Sequence, residues 1–484
     1  MADSDGIDPT AHSWFFCGIG GSGMLPLAQI LKGHGAEVAG SDRSRDQGRT
    51  PEKFEWLESH GFLLFPQDGS GITRAEQVLV ASAAVEDTVP EMIRAKELGC
   101  PRMTRAELLS GLFNAAKFSV AVAGTSGKST ATAMLGWILY ANDRDPTIMN
   151  GAVMKNFISV DNPFASAQVG KGDIFVSEVD ESDGSIALYR PSVGVLLNVS
   201  LDHKSIEELR VLFRDFLHSS GQAAVNFDNE EARILAQGID QVISFGIEAP
   251  DASITVERGS IVEAADSISA IIIDERDKTA HPLQLHMPGR HNLSNALAAI
   301  AGANAAGLPV ADAVRALRGF RGLARRFDIV GTTNSGITVI DDFGHNPEKC
   351  AATLRTLKSQ PGRVIAFFQP HGYGPLRQMG HELALTFADL LDRDDVTILC
   401  DPVYFGGTVD RSQGSERIID LIRKAGGTAE HVPVREEVAT RIAEIARPND
   451  RVVVMGARDD TLTLFAKDLL ARLQELDFVA GDSL

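Results

Sequence analysis

At 484 residues the chain is too long for one ordinary hydrophobic core, and two to four domains are expected. Hydrophobic residues make up 44% and charged residues 23%, the balance of a globular protein. Lys and Arg total 46 against 65 Asp and Glu, a net charge of −19, which disfavours nucleic acid or an anionic membrane as the main partner because either demands a basic face.

Met1 to Ala11 is polar and lacks a basic, then apolar, leader pattern, so it reads as a frayed tail. No apolar run reaches 18 residues, so no membrane span is expected. Cys17, Cys100, Cys350 and Cys400 are far apart and form no C-x-x-C pair, which fits a reducing compartment, and a cytoplasmic location is expected.

Trp14 to Cys17 is the first expected strand, Met24 to His34 a helix, and Ala36 to Gly40 and Val78 to Ala81 further strands. This is the rhythm of a parallel βαβ sheet. Gly18, Gly20 and Gly23, with Gly21 and Ser22 between them, fit G-x-G-x-x-G between a strand and a helix. Glycines there allow a tight turn and close backbone approach, so a diphosphate can sit on the helix N-terminus. Asp42 closes the next strand and is placed to accept from a ribose hydroxyl. The motif alone does not separate a nicotinamide dinucleotide from another nucleoside diphosphate, and a merely tight β–α turn is the bland alternative.

A new strand begins near Phe118 and runs into Gly124-Thr125-Ser126-Gly127-Lys128-Ser129-Thr130, followed by a helix from Ala131 to Tyr140. Backbone N–H groups of such a loop cradle phosphates, with Lys128 reaching the β/γ-phosphates and Ser129 or Thr130 serving Mg²⁺. Val122 stands where the general loop has a glycine, which makes this a shortened form. Strands are expected at 174–179 and 193–198, a helix at 205–218, β structure over 251–287, and helices at 293–305 and 311–318. Glu178, Asp180, Glu181 and Asp183 cluster behind the first of these strands, and Asn198 to His203 follow the second. Carboxylates at a strand end beside a phosphate loop suit Mg²⁺; a solvated acidic loop is the competing explanation.

His291 to Asn295 opens a helix, where polar residues can be simple caps. Arg325-Arg326 falls at a second boundary, near 325–331. Beyond it come strands at 337–341, 363–368, 396–400 and 451–455, with helices at 347–358, 378–391, 415–425 and 460–475. The expected architecture is therefore three α/β domains: 1–116 and 326–484 Rossmann-like, and 117–325 a P-loop ATPase-like domain.

Taken in order, GIGGSGM (18–24), SD (41–42), GTSGKST (124–130), EVDESD (178–183), NVSLDH (198–203), GRHNLSNALAAIA (289–301), RRFD (325–328) and DDFGHNPE (341–348) resemble the Mur ligase family. The resemblance implies a UDP-sugar-binding first domain, an ATP-binding central domain and a third domain that receives the acceptor. It implies ATP-dependent amide formation on UDP-N-acetylmuramate, through an acyl phosphate, with an amino acid, expected to be L-alanine, in peptidoglycan precursor synthesis.

By match, Lys128, Glu178, His203 and Arg326 would be catalytic, with Ser129, Glu178 and His203 serving Mg²⁺. Gly124 to Thr130, His291, Asn295, Arg326 and Asp342 would hold ATP, and Gly18, Gly20, Gly21, Ser22, Gly23, Asp42 and Ser82 the UDP-sugar. His345 and Arg377 would face the acceptor, an amino acid or short peptide, and the protein is expected to be a monomer or homodimer.

The departures from the family pattern are Ser126 in place of a usual His, Asn346 in place of the second His of HHP, Gln369 to Arg377 in place of an arginine-paired segment, and Met455 to Asp460 in place of a glycine-rich ending. Three alternatives stay open at this level: a ligase adding a preformed muropeptide, a NAD-dependent oxidoreductase using the first glycine cluster, and a nucleotide-binding protein without ligase activity.

Overall fold

The computed structural model describes residues 7–83, 85–200, 204–403, 411–457, 459 and 461–481. Three sheets organise it. The first contains β1 (Ser13–Cys17), β2 (Glu37–Ser41), β3 (Leu63–Phe65), β4 (Gln77–Ala81) and β5 (Arg102–Thr104), in the order β3-β2-β1-β4-β5 and parallel throughout. Near-continuous apolar strands such as Trp14-Phe15-Phe16 are what a sheet covered on both faces requires, and all three side chains are buried. The strand order reverses between β1 and β4, so a crevice opens at their carboxyl ends.

The second sheet has eleven strands. They are β6 (Phe118–Ala123), β7 (Thr147–Met149), β8 (Ala167–Gln168), β9 (Ile174–Glu178), β10 (Val193–Leu196), β11 (Gln222–Asn226), β12 (Val242–Phe245), β13 (Ile254–Val256), β14 (Val262–Glu263), β15 (Ile268–Asp274) and β16 (Thr279–Leu285). Its centre is parallel, with β6 between β9 and β10; the expected β region at 251–287 is an antiparallel flank, β15 and β16 pairing from Ile268↔Leu285 to Asp274↔Thr279. The helix Lys128–Ala141 begins three residues earlier than its apolar pattern indicates, because Lys128, Ser129 and Thr130 form its first turn.

The third sheet runs β17 (Asp328–Thr332), β18 (Thr338–Asp342), β22 (Arg451–Gly456), β19 (Val364–Gln369), β20 (Val396–Leu399) and β21 (Ala429–His431), with only β17 antiparallel. The helix expected at 378–391 starts at Tyr373, since Pro375 lies in its first turn, where a missing N–H costs no intrahelical bond.

The chain divides into two compact units, 1–263 with 267–322, and 264–266 with 323–484. The first and second sheets share one unit because a single apolar cluster runs through both, with Phe113 of the helix Arg105–Ala115 packed edge-on against Phe175 and Tyr189. Among the described residues, no helix is long and apolar enough to cross a membrane.

Candidate functional site

The register of the second sheet fixes the phosphate loop. Val122 lies opposite Glu178, and Ala123 opposite Leu196, so β6, β9 and β10 end level. The loop from Gly124, the acidic turn after Glu178 and the segment from Leu197 therefore emerge side by side at the carboxyl edge of a parallel sheet. Gly127, at φ +85°, turns the chain into the helix; a Cβ there would strike Asn295 Oδ1. Asn295 of the helix Arg290–Ala305 is thereby brought against the loop, whereas His291, on the same helix face, is exposed.

Lys128 Nζ donates to the Gly124 carbonyl oxygen at 2.8 Å and to Glu181 Oε2 at 2.7 Å, in an ion pair with Glu181 only 4% exposed. Burial pushes the Lys128 ammonium down, but Glu181, Asp180 and Glu178 outweigh it and hold the group above its ordinary value. Lys128 is thus a permanent cation. Asp180, although burial raises it, is held low by Lys128, hydrogen bonds from Ser182 and Arg105. Ser129 Oγ donates to Glu178 Oε2 at 2.7 Å, and Gly151, two residues past β7, packs so closely on Glu178 Oε1 that a Cβ would collide with it.

Asn198 is the tie between the loop and β10. Its Oδ1 accepts from Thr125 Oγ1 at 2.8 Å and from the Ser126 N–H at 2.9 Å, and its Nδ2 donates to the Ser126 carbonyl at 3.0 Å. Asn150 Nδ2 donates to the Ser129 carbonyl oxygen at 2.8 Å. Sequence reasoning quoted Asn198 within a motif without giving it this task, and passed over Asn150 and Gly151; the only available signal was a polar pair directly after a short apolar stretch. His203 lies outside the described residues.

In the first sheet, Gly18 (φ +80°) starts the turn after β1, and the Gly20 N–H donates to Asp42 Oδ2 at 2.8 Å. Asp42 Oδ1 also accepts from the Ser44 N–H at 2.8 Å and caps the next short helix. The carboxylate expected at a ribose therefore anchors the glycine turn. A Cβ on Gly20 would lie 2.9 Å from the Phe54 ring, and one on Gly23 3.1 Å from Arg105 Cδ. Gly21 and Ser22 complete the turn, and Ser82 follows β4 at the same edge.

The remaining expected residues belong to the second compact unit. Arg326 stacks its guanidinium 4.4 Å from the centre of the Phe343 ring. Asp342 accepts from the Phe327 N–H at 2.8 Å, the Gly344 N–H at 2.8 Å and Thr353 Oγ1 at 2.9 Å, bracing the chain where Arg325 and Phe327 adopt positive φ. His345 Nδ1 sits 3.0 Å from the Phe343 carbonyl oxygen, which can only accept, so Nδ1 carries the proton and Nε2 is left as the acceptor. Burial lowers the His345 pKa to about 3, with Lys349 adding to the effect, so the ring is neutral. His345 and His371, with ring centres 5.4 Å apart, edge a small cleft of about 10 Å³ floored by Phe368, Leu376 and Met379. Arg377 is exposed on the helix that follows.

A glycine-loop lysine, a serine–carboxylate pair and a level parallel edge define a P-loop nucleotide-binding α/β protein, with a second glycine turn of nucleotide-binding type on a separate sheet. Residues 15–117 match the Mur ligase family catalytic domain, 122–303 the Mur ligase middle domain, and 325–458 the Mur ligase glutamate ligase domain. The chain is 33% identical over 470 residues to the UDP-N-acetylmuramate–L-alanine ligase of Pelotomaculum thermopropionicum, covering 95% of this chain and 97% of that protein. It is 35% identical over 481 residues to the enzyme of the same name from Jannaschia sp., covering 96% of each. The crystal structure of the Thermotoga maritima UDP-N-acetylmuramate–alanine ligase superposes with a TM-score of 0.78 at 25% identity, over 96% of this chain and 99% of that one. The chain belongs to the Mur ligase family, whose members are ATP-dependent ligases.

Proposed function

We propose that the protein joins the carboxylate of UDP-N-acetylmuramate to the amino group of L-alanine, with ATP as the energy source, in peptidoglycan precursor synthesis. The observation that carries this is the half-buried Lys128, paired with Glu181, in a loop whose neighbours, Ser129 and Glu178, form an oxygen pair 2.7 Å apart. The names of the full-length relatives supply the substrates.

A carboxylate oxygen is a poor leaving group, so the acid must be activated. Its oxygen attacks the ATP γ-phosphorus, ADP leaves, and an acyl phosphate forms; the amine nitrogen then attacks the acyl carbon and phosphate leaves. Lys128 neutralises charge between the anionic oxygens, and Arg326 is proposed to do so from the third domain. His345, neutral with its proton on Nδ1, can accept a hydrogen bond from the incoming amine at Nε2, while the proton the amine loses leaves with the phosphate.

Ser129 Oγ and Glu178 are hard oxygen donors of the kind Mg²⁺ takes together with waters and substrate phosphates, and they would hold it with His203. When bound, the ion polarises phosphoryl oxygens. The domains are assigned as 1–116 for the UDP-sugar, 117–325 for ATP and 326–484 for the acceptor, and use of ATP supports a cytoplasmic site of action.

The test is ADP release with product mass analysis, supplying UDP-N-acetylmuramate with L-alanine, other amino acids and short peptides. ADP release that requires both UDP-N-acetylmuramate and L-alanine is expected. Product only with a peptide would make the protein a muropeptide ligase, and no product with any acceptor would end the ligase reading.

A further inference from the structure

Arg105 is the first residue of the helix Arg105–Ala115, and a capping box between Thr104 and Glu107 fixes the direction in which that helix starts. Thr104 ends β5, so Arg105 stands at the same carboxyl edge of the first sheet as the glycine turn after β1 and Ser82 after β4. Its side chain crosses Gly23: Cδ lies 3.1 Å, and Nε and Nη1 3.5 Å, from where a Cβ on that glycine would be. Gly23 therefore makes room for a guanidinium beside the entrance to the helix Leu25–Gly33, where the peptide dipoles already favour an anion.

The only ion pair drawn by Arg105 among the described contacts is with Asp183, at 3.8 Å, with the two side chains 26% and 41% exposed. A pair that long and that exposed contributes little stability, and it can be exchanged for a better anion. Asp183 belongs to the acidic turn that carries Glu181, so Arg105 spans the distance from the glycine turn to the edge of the phosphate-loop site.

We infer that Arg105 is a positioning residue that clamps the diphosphate of the UDP-sugar over Gly23, leaving Asp183 to do so. A guanidinium fork matches phosphate oxygens with two parallel hydrogen bonds, which an ammonium cannot reproduce. This inference rests on the proposed UDP-sugar ligase activity.

The experiment compares the full chain with Arg105→Ala and Arg105→Lys, reading ADP release with each substrate varied in turn, and UDP binding by calorimetry. For Arg105→Ala, the KM for UDP-N-acetylmuramate is expected to rise about 10- to 100-fold, with UDP affinity falling in parallel. The KM for ATP should change by less than about threefold, and Arg105→Lys should recover part of the loss. Equal rises in both KM values, a fall in kcat alone, or an unchanged UDP affinity would overturn the clamp. If the wild-type chain releases no ADP from UDP-N-acetylmuramate, the ligase reading fails by itself, while the UDP titration still decides the clamp.

Discussion

Lys128 Nζ and Glu181 Oε2 are 2.7 Å apart in a pocket where Glu181 is only 4% exposed, so the cation expected at the ATP phosphates is held by an internal carboxylate. Incoming phosphate oxygens must compete with Glu181 for the same ammonium. Glu181→Gln should therefore bind ATP about tenfold more tightly in the presence of EDTA, because one nearby negative charge is gone. Unchanged or weaker binding, by fluorescence titration, would show that the pair does not oppose the nucleotide.

Lys128→Ala removes the cation itself. Turnover should fall by a factor of roughly 10³ or more, while UDP-sugar binding, proposed for the first sheet, stays near wild type. Loss of both together in a calorimetric titration would count against two separate nucleotide sites.

Asn198 makes three hydrogen bonds to Thr125 and Ser126. Asn198→Ala should lower stability by about 3 kcal/mol, at roughly 1 kcal/mol per bond, and raise the KM for ATP. Denaturant unfolding gives the first quantity and ADP release the second; a stability loss with no change in KM would mean that the loop holds its shape without Asn198.

Two glycine substitutions should separate the sites. Gly127→Ala sets a methyl against Asn295 at φ +85° and should abolish ATP binding. Gly20→Ala must displace the Phe54 ring and Asp42, and should weaken UDP-sugar binding about tenfold while sparing ATP. A reversed pattern of the two affinities would contradict the placement of the sites.

Burial pushes the Asp341 carboxyl from 3.8 up to about 6, with Arg325 and a hydrogen bond from Thr463 pulling back only in part. The folded chain then holds this proton more tightly than the unfolded chain. Its contribution favours folding below about pH 4 and is lost as pH rises through about 6, a change on the order of 3 kcal/mol. Asp341→Asn does not titrate, so its stability relative to wild type should climb between pH 4 and pH 7. A flat difference in Tm across that range would show that Asp341 titrates normally.

What the order of residues determined by itself was local. Gly124 to Thr130 follow an apolar strand and precede a helix, so a phosphate loop is legible within about a dozen residues, as are the first glycine turn and the carboxylates behind Ile174 to Val176. Only the tertiary structure decided which groups those motifs meet. Lys128 and Glu181 are 53 residues apart in the chain, Asn198 and Ser126 are 72 apart, and they touch because β6, β9 and β10 end level in one parallel sheet. Asp42, legible as a ribose acceptor, also bonds to Gly20 and Ser44 across the glycine turn, which the sequence did not show, and Arg105 had no motif to mark it. Sequence periodicity reports which face of an element is apolar, whereas strand order and register decide whose ends become neighbours, and neighbours at strand ends make the site.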